Sequence, residues 1–171
     1  MNEFAATQLL PLTPGILLSI ASIFFGFALG ALFGALESGF KPMMREAGMK
    51  VLDTAYAGDK DKLEAAVSKG WKYAIRGHIH GGAIGTSALA CILLMAMLGP
   101  PGMLEQISAL AFGAGSLLYS SFWIAAGFKA PKVGKPKEAK ESLWWIAMPG
   151  AGLCMIGLVG TFLSVCIHAM A

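Results

Sequence analysis

Apolar residues run almost unbroken through four stretches of the chain, Ile16–Leu36, Ala83–Leu98, Ile107–Ala126 and Leu143–Ile167, and polar residues cluster between them. A bilayer core takes about 20 residues of helix, so the first, third and fourth stretches are long enough for a span. The second reaches that length only if it begins near Ile79, which carries His80 into the apolar region. The pattern predicts spans over about 16–37, 78–98, 106–127 and 143–168, joined by polar loops over 38–76 and 128–141. Four spans nearly exhaust 171 residues. Lipid offers no partners to exposed backbone, so the expected fold class is an all-α integral membrane protein, a single four-helix domain over 1–171.

Within the first loop, "MMREAGMKVLDTAYAG" sets Met44, Val51, Leu52 and Ala55 on one helical face. "DKDKLEAAVSKG" begins with Asp and ends at Gly70, a plausible cap at either end. The expectation is one or two amphipathic helices lying on the membrane surface between spans 1 and 2, followed by Trp71 and Tyr73 as interfacial anchors. "KAPKVGKPKEAKES" has little to bury and is expected to be an irregular linker. "SGFKP" and "AGFKA" close the first and third spans, while "HGGAIG" and "MPGAG" open the second and fourth. This echo suggests two duplicated hairpins and pairs His80 with Met148.

Charge orients the bundle. All 13 Lys and Arg lie in two places, eight between Lys41 and Arg76 and five between Lys129 and Lys140. The positive-inside rule puts both loops in the cytoplasm and both termini outside, in a bacterial-type inner membrane. The opening MNEFAATQLLPLTPG has no basic residue and so lacks the n-region of a cleavable signal peptide. Cys91, Cys154 and Cys166 fall inside spans, form no CxxC pair and read as small apolar side chains. Gly26, Gly30 and Gly34 stand at four-residue spacing on one face of span 1. They are expected to let another helix approach, either within the bundle or in self-association.

Ionisable groups at lipid depth are the candidates for chemistry. They are Glu37 at the end of span 1, His78 and His80 at the start of span 2, and His168 at the far end of span 4. No carboxylate falls at mid-membrane, which argues against a carboxylate-driven pump. His78 and His80 are about 200° apart on a helix, so one of the two is expected to face the interior, and His168 lies roughly 30 Å away by helix rise. As metal ligands His80 and His78 lack the i, i+4 spacing of a helical pair, which disfavours a closed zinc site.

A b-type haem suits the pattern better. His80 supplies one axial ligand, Met148 on the pseudo-equivalent span the second, and Gly82, Gly85 and Gly150, with Gly81 and Gly152, leave flat space for the ring. Arg76, Lys72 and Lys41 stand where propionates would emerge. Tyr119, Ser120 and Ser121 offer hydroxyls to a quinone head group or to a partner helix. Trp144 and Trp145 read as an aromatic belt, and the ten methionines as core filling.

The stretch "GHIHGGAIGTSALA" resembles a signature segment of the haem–copper membrane proteins of nitric-oxide response, where a His precedes a Val/Gly-Ala-Ile-Gly run in a helix. The likeness covers 14 of 171 residues, and that family has many more helices, so it is local. It implies that His80, beside Gly82-Ala83-Ile84-Gly85, is a haem- or copper-facing ligand.

No phosphate loop, dinucleotide fingerprint or nucleophile elbow is present, and the net charge of +3 follows topology, with no bearing on nucleic acid. The expected function is that of a small membrane subunit of a larger redox or respiratory assembly, active in electron transport and not a free-standing enzyme. It would hold haem b or contact quinone near the cytoplasmic face. The alternatives are a purely structural scaffold subunit without cofactor and a small oligomeric transporter.

Overall fold

The computed structural model describes residue 3 and residues 5–170; Met1, Asn2, Phe4 and Ala171, and the side chains of Ala5, Ala6 and Glu37, lie outside what it describes. After a π-helical turn and a 3-10 turn (Ala5–Leu12), six helices follow: α1 Thr13–Met49, α2 Leu52–Tyr56, α3 Lys60–Leu98, α4 Met103–Val133, α5 Pro136–Glu141 and α6 Trp144–Met170. No strand occurs among the described residues. Four helices are long and apolar enough to cross a membrane, as the hydrophobic pattern predicts. Among them α4 is the most enclosed, packed against α1, α3 and α6, while α3 is held between α1 and α4.

The polar loops are where pattern and structure part. α1 does not end near residue 37. It breaks at Leu36 (φ −124°, ψ 22°) and resumes to Met49, passing through Pro42. Pro42 brings no N–H to the carbonyl of Ser38, which weakens the helix just past the break. α3 begins at Asp59, whose side chain accepts the backbone N–H of Lys62 at 3.0 Å, and runs 39 residues. At 1.5 Å per residue that is about 58 Å, roughly twice the thickness of a bilayer core. Residues 60–76 are therefore the first turns of the spanning helix itself, not a separate helix on the lipid surface. Gly70 caps nothing. A Cβ there would lie 2.6 Å from the carbonyl oxygen of Gly127, and a Cβ at Gly127 would lie 2.8 Å from that of Gly70, so the two glycines mark a close approach of α3 and α4.

The four residues expected on one helical face are divided between α1, a turn and α2, and they pack on protein. Met44 is buried with Phe33, Tyr56, Leu63, Val67 and Trp71, and Val51, Leu52 and Ala55 pack on the same cluster. The helices run on side by side past their apolar stretches and bury these residues against one another. The same packing removes Trp71 and Tyr73 from lipid: Trp71 lies on Phe33 and Phe40, and Tyr73 on Trp123. Arg45 ties the α1 extension to α3 through a two-pronged contact with Glu64. Trp144 and Trp145 are exposed, as a belt requires.

The second loop is mostly helix too. α4 carries on to Val133, where Gly134 turns the chain with φ 77° and donates its N–H to Ala130, and Pro136 opens α5. "SGFKP" and "AGFKA" thus lie inside α1 and α4 and close neither helix.

Candidate functional site

Both histidines of α3 meet other helices. The geometry expected one to face inward, but α3 has a neighbour on each side. His78 Nδ1 lies 2.7 Å from the carbonyl oxygen of Gly26 on α1, beside Gly30, where a Cβ would come within 2.9 Å of that nitrogen. A Cβ at Gly26 would lie 2.9 Å from the carbonyl carbon of Gly81. Gly26 and Gly30 therefore accommodate α3 within the bundle, whereas Gly34 has nothing within 4 Å.

His80 turns to the other side. Its half-buried ring packs on Tyr119 and Trp123 of α4, with centroids 5.4 and 6.1 Å away. Along α3 the residues Lys69, Tyr73, Arg76 and His80 share this face at spacings of four, three and four. The Arg76 guanidinium sits over the Trp123 ring at 5.1 Å, and the Lys69 ammonium over Tyr73 at 5.8 Å. Cations over aromatic faces keep these charges at the bundle surface while the rings stay covered.

Trp123 is 8% exposed, and its indole Nε1–H has no hydrogen-bond partner among the described residues. A buried donor without an acceptor costs about 1–3 kcal/mol. The same residue walls a groove of about 330 Å³ formed by Tyr119, Phe122 and Trp123 of α4, Lys140 and Glu141 of α5, and Trp144, Ala147, Met148 and Ala151 of α6. Met148 is mostly exposed on the α6 wall. His80 and Met148 thus border the same aromatic pair from different elements: His80 packs on the rings from α3, and Met148 shares a groove with them.

The glycines expected to make room for a macrocycle divide into two sets. A Cβ at Gly85 would meet Ile23 of α1 at 3.0 Å, and one at Gly150 would meet the backbone nitrogen of Tyr119 at 2.9 Å. Gly81 faces Gly26, while Gly82 and Gly152 are open. Gly85 and Gly150 are therefore helix contacts, and the face of His80 is covered by Tyr119 and Trp123. A haem on His80 would have to share its surroundings with these two rings. No group of three or more His, Cys, Asp or Glu side chains is placed to hold a metal among the described residues.

Of the expected hydroxyl cluster only Tyr119 reaches the groove. Ser120 and Ser121 donate to their own helix, to the carbonyls of Ser116 at 2.6 Å and Leu117 at 2.8 Å. The three cysteines are free.

Three residues that matter were not singled out by sequence. Trp123 and Lys140 were hidden among residues of a common type; the signal for Trp123 was its i, i+4 spacing from Tyr119. Glu105, at the start of α4, is buried at 7% exposure. Its Oε1 accepts Ser164 Oγ of α6 at 2.7 Å, and its Oε2 accepts the N–H of Gly102 at 2.9 Å. His168 completes this end by donating from Nδ1 to the Ser164 carbonyl at 2.9 Å.

Comparison with family models, curated proteins and solved structures finds no match to this chain.

Proposed function

We propose that the protein is a small integral membrane subunit of a larger redox assembly, and that the ring cluster around His80 contacts a quinone head group at the basic end of the bundle. The observation that carries this reading is the buried, unpartnered indole N–H of Trp123, beside His80 and Tyr119. A quinone offers what that cluster lacks: a flat ring for aromatic side chains and carbonyl oxygens for a donor. Haem b on His80 and Met148 is supported less well, since Tyr119 and Trp123 would both have to swing aside. By the positive-inside rule the basic end faces the cytoplasm.

A second reading, a scaffold subunit without cofactor, is favoured by the open face of α1. Leu17, Phe24 and Phe27 are exposed there, and Gly34 is uncovered.

The test is purification in mild detergent, followed by solvent extraction and an absorption spectrum. The expected result is quinone co-purifying with the protein, at a lower ratio in His80→Ala. A Soret band that disappears in His80→Ala would put haem in place of quinone. Partner subunits without any extractable ligand would establish the scaffold.

A further inference from the structure

We propose that the quinone occupies the groove between α4, α5 and α6, entering sideways from the bilayer, with Lys140 of α5 as a head-group contact at its rim. This rests on the quinone reading above and deepens it by fixing where the ligand sits and what selects it. The groove's volume of about 330 Å³ is at the small end of the roughly 300–1,000 Å³ typical of ligand sites. Its walls are aromatic or apolar on α4 and α6, and its polar groups are unevenly matched. Among the described residues no salt bridge is formed by the half-buried Lys140, whereas the acid of the rim, Glu141, is taken by Lys137 at 3.7 Å. A rim ammonium without a carboxylate and a carboxylate already paired fit a ligand that presents oxygens and no protons.

Its position suits an amphiphile. Lys140 and Trp144 lie where the basic end meets the first turn of α6, and Ala147, Met148 and Ala151 continue from there along the spanning helix. A head group lodged between Tyr119 and Trp144 could leave its isoprenoid tail lying along these residues, in lipid. The small side chains of Ala147 and Ala151 keep that exit open. A free anion would find few polar contacts here, and a soluble cofactor would have to cross the interface.

The experiment is equilibrium binding of a decyl-chain benzoquinone to the full chain in phosphatidylcholine nanodiscs. Ala147→Trp and Ala151→Trp fill the groove, and each is expected to weaken binding by about tenfold or more; Lys140→Met is expected to weaken it by about threefold to tenfold. Gly34→Ala, on the far side of the molecule, should bind as the unmodified protein does. Melting midpoints confirm folding, and Lys140→Met, a rim substitution, covers the case in which a tryptophan disturbs α6. Full affinity in all three groove variants overturns the groove while the His80 cluster keeps its quinone reading. No binding by the unmodified protein overturns both. Loss of quinone binding on adding phosphatidylglycerol, reversed by Lys140→Met, would make the groove a phospholipid head-group site and overturn the proposal.

Discussion

His78 on α3 donates its Nδ1–H to the carbonyl oxygen of Gly26 on α1, at 2.7 Å. The carbonyl can only accept, which fixes the proton on Nδ1 and makes this imidazole a tie between two helices. Ser22 adds a second tie one turn away, donating to the carbonyl of Gly81 at 3.1 Å. The two histidines of one motif therefore divide the work: one joins α1 to α3, the other joins the aromatic cluster.

Loss of the His78 bond should be felt in stability and not in ligand binding. His78→Ala is expected to cost about 1 kcal/mol, the net worth of one neutral hydrogen bond, plus the packing of the ring. Gly30→Leu drives a side chain into the imidazole and should cost more, about 1–3 kcal/mol. In the double variant the clash has gone, so the two costs should not add. Unfolding in a detergent–denaturant series measures the cycle, and strict additivity would mean that Gly30 and His78 do not touch.

The paired glycines of α3 and α4 should be intolerant of any side chain. Gly127→Val and Gly70→Val each push against a facing carbonyl and are expected to lower stability by about 1–3 kcal/mol. Gly34→Ala, with nothing within 4 Å, should be neutral or slightly stabilising by helix propensity. Equal tolerance at all three positions would contradict the observed helix approach.

Glu105 should matter more than its partner. Ser164→Ala removes one interhelical bond, worth about 0.6 kcal/mol on average in membrane bundles. Glu105→Ala leaves both the Gly102 N–H and the Ser164 hydroxyl without an acceptor, each orphaned group costing about 1–3 kcal/mol. Glu105→Gln keeps an acceptor oxygen and should fall between them. The ranking of melting midpoints decides it.

Acid should loosen the start of α3. The Lys62 backbone N–H, then the Lys62 ammonium, holds the Asp59 carboxyl below the ordinary carboxylate range. A group whose folded value is depressed stabilises above its unfolded value, near 4, and that contribution is lost as pH falls through the folded value. Asp59→Asn should cap the helix with no such pH dependence. Hydrogen exchange of the first turn of α3, followed from pH 5 downward, should accelerate in the unmodified chain relative to the variant.

Topology is testable with single cysteines placed in a variant lacking Cys91, Cys154 and Cys166. Ser142→Cys sits on the basic side and Met103→Cys on the opposite turn, both exposed. A membrane-impermeant maleimide added to intact cells is expected to label Met103→Cys alone. Labelling of Ser142→Cys alone would invert the bundle.

Hydropathy by itself determined that this chain is helical and has four helices long and apolar enough to cross a membrane, because suitability for lipid is a property of each segment's own composition. The basic clusters, read the same way, marked one end of the bundle. The Asp59 cap was also visible, since a cap is a contact between near neighbours in sequence. Tertiary structure decided the rest. Whether Met44, Trp71 and Tyr73 face lipid or protein depends on which helices project together beyond the bilayer, and local pattern is the same in both cases. Which way His80 points depends on α3 lying between α1 and α4. Gly85 and Gly150 are small in any reading; only the approach of Ile23 and Tyr119 shows that their space is already taken. The groove beside Trp123 is made by three helices that no single stretch of sequence brings together, so it becomes apparent only once the chain is folded.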